Sequence, residues 1–205
     1  MNKDVYFLDN ENLNKSIYLK NNEKQELLII DTLKNTVDVN INIYLESDCD
    51  FHLVISSLNQ HSYEKTYNVK VYHNGDSSIS KCEVFGINKE QGKTNFYLEA
   101  IIKDDSKSNY CEQKIRGILL SNEAEIKGKP NLIINTNNIK AKHALAIGRL
   151  NLAHLFYLQN KGIRKNDAIK LLLLSYFNVI LYKINDESQK EALMERIFEE
   201  IGDIE

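Results

Sequence analysis

Cysteine is scarce in this 205-residue chain: Cys49, Cys82 and Cys111 are odd in number, roughly 30 residues apart, and form no C-x-x-C pair. A disulfide framework or zinc knuckle is therefore not expected, and the chain reads as a reduced, cytoplasmic protein. Long apolar runs are missing too. The longest, residues 171–182, covers about 12 positions and contains Ser175 and Asn178, too short and too polar to span a bilayer. The opening residues Met1-Asn2-Lys3-Asp4-Val5 lack the apolar stretch of a secretion signal. Excess positive charge is absent as well. A net charge of −3 and a pI near 6.0 argue against a dedicated nucleic-acid binder.

Motifs that carry catalysis are also lacking. Gln91-Gly92-Lys93-Thr94 looks like the end of a phosphate-binding loop, but Ile87 stands where that loop needs glycine and Gly86 is one residue early. Such a loop feeds a helix whose amides hold phosphate, whereas residues 95–103 read as a strand. If ATP is involved, another subunit hydrolyses it. No H-E-x-x-H, G-x-S-x-G or adjacent Cys–His pair occurs, and His52, His61, His73, His143 and His154 are isolated in sequence. Each reads first as a packed or surface residue, and Cys82 and Cys111 as small buried hydrophobes. In a three-sided solenoid the cysteine spacing would stack the thiols on one wall, which makes Cys82 and Cys111 weak metal candidates.

What is present is a succession of short β-type segments from about residue 25 to 150, after a lead-in over 1–24. They fall at 26–32, 37–46, 51–58, 65–73, 77–87, 95–103, 110–120, 132–135 and 139–147. Val37, Val39, Ile41, Ile43 and Leu45 alternate with Asp38, Asn40, Asn42 and Tyr44, the period of a half-buried strand. Connections such as Asn74-Gly75-Asp76-Ser77 supply turn chemistry. Many even, short strands suit a sandwich, a barrel or a β-solenoid, and the evenness favours the solenoid.

At Asn151 the period becomes helical. Asn151 is a plausible N-cap and Gly162 a C′ stop around Leu152, Leu155, Phe156 and Leu158. A second helix is expected over 167–184, capped by Asn166. Ile169, Leu173, Tyr176, Phe177, Ile180 and Ile184 form one stripe, with Leu171, Leu174, Asn178 and Leu181 beside it. That width suggests contact with the scaffold and with something else. A third helix starts at Asp186 with Gln189 completing a capping box, and buries Leu193, Ile197 and Ile201. Residues 186–205 hold eight acidic and two basic side chains, a solvated acidic face. The segment 151–205 thus reads as a helical domain.

Three strings then point to a family. They are G-I-L-L-S-N-E-A-E-I-K-G-K-P-N-L-I-I from Gly117, N-I-K-A-K-H-A-L-A-I-G-R-L from Asn138, and L-F-Y-L-Q-N-K-G-I from Leu155, followed by the Ala168 to Phe177 helix. In order and spacing they resemble the C-terminal half of the SufB/SufD family, scaffold proteins of Suf-type iron–sulfur cluster assembly. Its pattern runs L-L-S, K-P-x-L-E-I, D-V-x-C-S-H-G-A-T-x-G and L-F-Y-L-x-S-R-G-I. The resemblance implies a mainly β fold, a right-handed parallel β-helix followed by a small C-terminal α-helical domain. It also implies that the helical domain docks a SufC-type ABC ATPase and that the end of the β-helix pairs with a SufB-type paralogue or a second copy. Phe156, Tyr157, Lys161, Gly162 and Ile163 occupy the matched helix and turn, so they are the expected ATPase contacts.

The departures narrow the chemistry. Ala141 stands where the family carries cysteine, Lys142 replaces serine, Ala144 glycine and Ala146 threonine. Ala124 stands near where SufB-type chains carry the thiol associated with cluster assembly. The chain is therefore SufD-like, and His143 is the one cluster-assembly candidate that the resemblance leaves. The expected protein is a non-enzymatic scaffold subunit with no stably bound cofactor, handling an iron–sulfur cluster at most transiently. Two alternatives are a SufB-like scaffold holding a cluster through Cys82, Cys111 and His143, and a β-solenoid enzyme with clustered carboxylates on one wall.

Overall fold

The computed structural model describes residues 2–184 and 186–202, the side chain of Gln189 apart. Eleven parallel strands form two sheets. One sheet holds β1 (Asn2–Phe7), β3 (Lys24–Asp31), β5 (Asp50–Asn59), β7 (Ile79–Asn88), β9 (Asn109–Leu119) and β11 (Ile139–Arg149), in that order. The other runs β2 (Asn12–Leu19), β4 (Val37–Leu45), β6 (Glu64–His73), β8 (Lys93–Ile102) and β10 (Glu125–Ile134). Every strand crosses to the opposite sheet before the chain returns one position further on, so the strands make a parallel β-helix. Three helices follow: α1 (Leu152–Asn160), α2 (Lys165–Leu181) and α3 (Glu187–Ile201).

Coil length drifts, which is why no sequence repeat is visible. Lys24 pairs with Asp50, Asp50 with Ile79 and Ile79 with Tyr110, so a coil grows from 26 to 31 residues. The additions fall in the corners, several of which turn on a left-handed residue such as Asn22, Asp48, Asp105 or Ser108. Inside, the inward rows of both sheets interdigitate into one core. Ile29, Ile55, Val84 and Ile115 stack on one side, and Ile43, Val71 and Ala100 on the other.

The two sheets differ on their outer faces. In β4 burial alternates residue by residue, whereas β3 and β5 are buried on both faces in their second halves. The cause is a second core. Leu28, Ile30, Val54, Leu58, Phe85, Ile87 and Ile118 project outward from the first sheet and pack against α2 and α3. Burying an aliphatic side chain of this kind stabilises by about 1.5–3 kcal/mol, so the helices are bound as firmly as a domain core. Lys34 adds an ion pair to Glu200 at 2.8 Å, and Lys183 pairs with Glu26. The free face of the second sheet instead carries a ladder of Tyr18, Tyr44 and Tyr72, stacked at 4.7 and 4.8 Å.

Several local expectations change. The lead-in is not featureless: β1 and β2 lie within it and pair with β3 and β4. The short segment expected at 132–135 is the end of the ten-residue β10. Two sheets replace the three-sided section considered for the cysteines. On α2 the second apolar stripe needs no external partner, because Leu174 and Leu181 are buried among the helices while Leu171 stays exposed. That helix starts after Arg164, which is extended, rather than at Asn166, and Arg164 Nε lies 2.9 Å from Asp167 Oδ2. The capping box of Asp186 with Gln189 lies outside the described residues.

Candidate functional site

Two surfaces stand out: the last coil and α1. β10 and β11 are the final strands of their sheets, so each leaves one backbone edge unpaired. Register places Ala141, His143, Leu145 and Ile147 opposite Cys111, Gln113, Ile115 and Gly117, the inward row of β9. These side chains therefore close the end of the interior core without being covered. Leu145 is 49% exposed. It reaches across to β10, where a Cβ on Gly128 would lie 2.4 Å from Leu145 Cδ1, so a side chain at that position would displace Leu145. His143 is exposed and makes no hydrogen bond or ion pair among the described residues.

The thiols are elsewhere. Cys82 is in register with Gln113, and Cys111 with Ala141, so Cys82 and His143 lie two strands apart in one row while Cys111 belongs to the next. All three cysteines are buried. Burial pushes the Cys82 thiol far up and Cys111 up to about 11, and it raises Cys49, whose Sγ lies 3.1 Å from the Lys20 carbonyl. At neutral pH these are protonated, inaccessible thiols rather than ready ligands. Among the described residues no group of three or more His, Cys, Asp or Glu side chains is arranged to hold a metal ion. Cys82, Cys111 and His143 are thus not brought together as a ligand set.

α1 follows the last coil directly. Asn151 caps it, its side chain accepting from the N–H groups of Ala153 at 2.9 Å and His154 at 3.4 Å. Gly162, at φ +86°, ends it. Its N–H donates to the Gln159 carbonyl and that of Ile163 to Leu158, the paired bonds that close a helix through a left-handed residue. Only Leu155 is buried along α1. Leu152, Phe156 and Tyr157 are 74%, 65% and 60% exposed, an apolar strip facing solvent. Lys161 stands over the Tyr157 ring at 5.6 Å. Of the five expected docking residues, Phe156, Tyr157, Lys161 and Gly162 are exposed, while Ile163 is half-buried against the helical core.

Two features escaped sequence reasoning. One is a buried polar cluster: Lys65 Nζ lies 2.9 Å from Asp31 Oδ1, and Tyr67 bonds the other oxygen of Asp31. Burial lowers the Lys65 pKa and raises that of Tyr67. Their i, i+2 spacing in an alternating strand was the available signal, since it puts both on the inward face. The other is His73, buried between Ser78 Oγ at 2.7 Å and Ser80 Oγ at 2.8 Å.

Fold and surface together define a class: a parallel β-helix with a helical module bound to one wall, an uncovered last coil and an exposed apolar helix. Residues 10–176 match the model of the SufBD core domain of the SUF system for iron–sulfur cluster assembly, and the chain belongs to that family. It is similar to the iron-sulfur cluster assembly protein SufD of Bacillus subtilis (strain 168), 24% identical over 130 residues, or 63% of this chain and 30% of that one. It is also similar to SufD of Escherichia coli (strain K12), 26% identical over 106 residues, 52% of this chain and 24% of that one. An iron-sulfur cluster assembly SufBD family protein of Synechocystis sp. is 29% identical over 112 residues, 55% of this chain and 24% of that one. The matched stretches thus span less than a third of these relatives' own length.

Proposed function

We propose that this chain is a SufD-like, non-enzymatic scaffold subunit of a cytoplasmic Suf-type assembly complex. It docks a SufC-type ABC ATPase through its helices and pairs through its last coil with a SufB-type subunit. The nascent iron–sulfur cluster is cargo of that complex and not a resident cofactor of this chain. The observation that carries the reading is the apolar strip of Leu152, Phe156 and Tyr157, left in water on a helix otherwise fixed by its caps and by Leu155. Exposed aromatic anchors on a rigid element are what a partner groove selects. Family membership supplies the partner class. Burial of all three thiols and the exposure of His143 on the open coil favour a subunit that contributes an imidazole, not sulfur, at a shared boundary.

The test is co-purification with a SufC-type ATPase. Replacing Phe156 and Tyr157 by alanine is expected to weaken binding by about 30-fold for each residue, since buried aromatic hot spots contribute about 2 kcal/mol each. Unchanged affinity of that double variant would remove the docking assignment.

A further inference from the structure

The two open edges of the last coil are not equivalent. β10 carries Pro130 near its middle, and proline has no N–H to offer an added strand. β11 runs eleven residues without proline, so its edge is the one able to template a new strand along its full length. An added coil would also bury Leu145 and prolong the rows of the interior core.

Around this edge the charge is one-sided. β10 and β11 contain five basic residues, Lys127, Lys129, Lys140, Lys142 and Arg149, against a single acid, Glu125. All four lysines are exposed, and they alternate with the inward rows, so they occupy the outer faces of the coil. Lys127 lies 2.9 Å from Glu125 and Lys142 3.5 Å from Glu112. Lys129 and Lys140 have no acidic partner among the described residues.

We infer that β11 accepts a strand from the end coil of a β-solenoid whose outer rows are acidic, and that these lysines turn away a second copy of this chain. The inference rests on the reading of the last coil as a pairing surface and adds what selects the partner. A symmetric pair of identical chains presents the same patch from both sides. Neighbouring strands lie about 4.8 Å apart, inside the ~8 Å over which salt screens charge. Two basic rims would therefore repel at close range, whereas glutamate or aspartate on the partner's outer rows would make the same geometry attractive.

The experiment uses this chain as its own probe. A charge-reversed form, Lys127→Glu/Lys129→Glu/Lys140→Glu/Lys142→Glu, is mixed with the unaltered chain and followed by sedimentation velocity at ~50 and ~500 mM salt. Circular dichroism checks that it folds, and Lys129→Glu/Lys140→Glu replaces it if it does not. The mixture is expected to form a one-to-one complex at least ~10-fold tighter than either chain forms with itself, weakening at the higher salt. Leu145→Asp should abolish it. If the unaltered chain self-associates as tightly as the mixture, in a manner that Leu145→Asp breaks, charge selection is wrong while end-to-end pairing stands. If no combination associates at the lower salt, both the selection and the pairing surface fall.

Discussion

Replacing Lys65 by methionine keeps an unbranched apolar stem in the core and removes only the ammonium group. In the native chain that group lies 2.9 Å from both Asp31 Oδ1 and the Leu58 carbonyl, with neither side chain accessible to water. Its loss leaves the Asp31 carboxylate buried with two neutral donors, the Leu33 N–H at 2.8 Å and the Tyr67 hydroxyl. An uncompensated buried charge of this kind is worth about 3–5 kcal/mol of destabilisation, a large share of the ~5–15 kcal/mol by which a domain is stable. Converting Asp31 to asparagine in the same chain removes the charge but keeps an acceptor for those donors. The double variant should therefore be more stable than Lys65→Met alone, with a coupling of about 2 kcal/mol or more. Urea unfolding at neutral pH reads this as a drop of about 2 M in midpoint for the single variant, taking a slope near 2 kcal/mol/M, and a partial return for the double. A single variant that loses less than ~1 kcal/mol, or a double variant whose loss equals the sum of the singles, would refute the view that Lys65 and Asp31 stabilise the core as a coupled buried pair.

Two further outcomes follow from single residues. Burial holds His73 at about 4, against an ordinary 6.5. Between those values the unfolded chain binds a proton that the folded chain refuses, so stability falls as pH drops from 6.5 towards 4, by about 3 kcal/mol at the lower end. Thermal midpoints measured across that range should show the loss, and His73→Gln should flatten it. At Gly162 an added Cβ meets nothing within 4 Å but must adopt φ +86°. Gly162→Ala should cost about 1–2 kcal/mol through the backbone alone, read as a lower thermal midpoint with an unchanged helical signal at low temperature.

Sequence made the scaffold legible wherever a strand has one wet face. Val37 to Leu45 alternates in composition and in burial alike. Leu27 to Ile30 does not alternate, and that continuous run was the trace of a sheet covered on one face by the opposite sheet and on the other by helices. The strands missed or shortened were those at the two ends of the solenoid. β1 and β2 are polar and half-exposed, and β10 mixes lysines with Pro130, because an end strand has only one neighbour and its outer face belongs to water. At the helices, Asn151 and Gly162 were readable because cap chemistry is local. The start of α2 was not, because Asn166 caps nothing when Arg164 already turns the chain. The candidate surfaces divide the same way. Phe156 and Tyr157 could be placed from their motif, whereas the basic rim requires register, since Lys127 and Lys129 are separated in sequence from Lys140 and Lys142 by a whole corner.

The second core has a mechanical consequence. A bare solenoid is a stack in which each coil touches only its neighbours, so it can fray one coil at a time. Here α2 and α3 lie across that stack and grip β3, β5, β7 and one residue of β9, like a splint laid over several vertebrae. No residue of β10 or β11 belongs to the splinted core. The last coil is nevertheless joined to α1 by the two residues Leu150 and Asn151. A load applied to α1 therefore bears on the splinted body on one side and on one unsplinted coil on the other. The coil that carries His143 is the one that no helix braces.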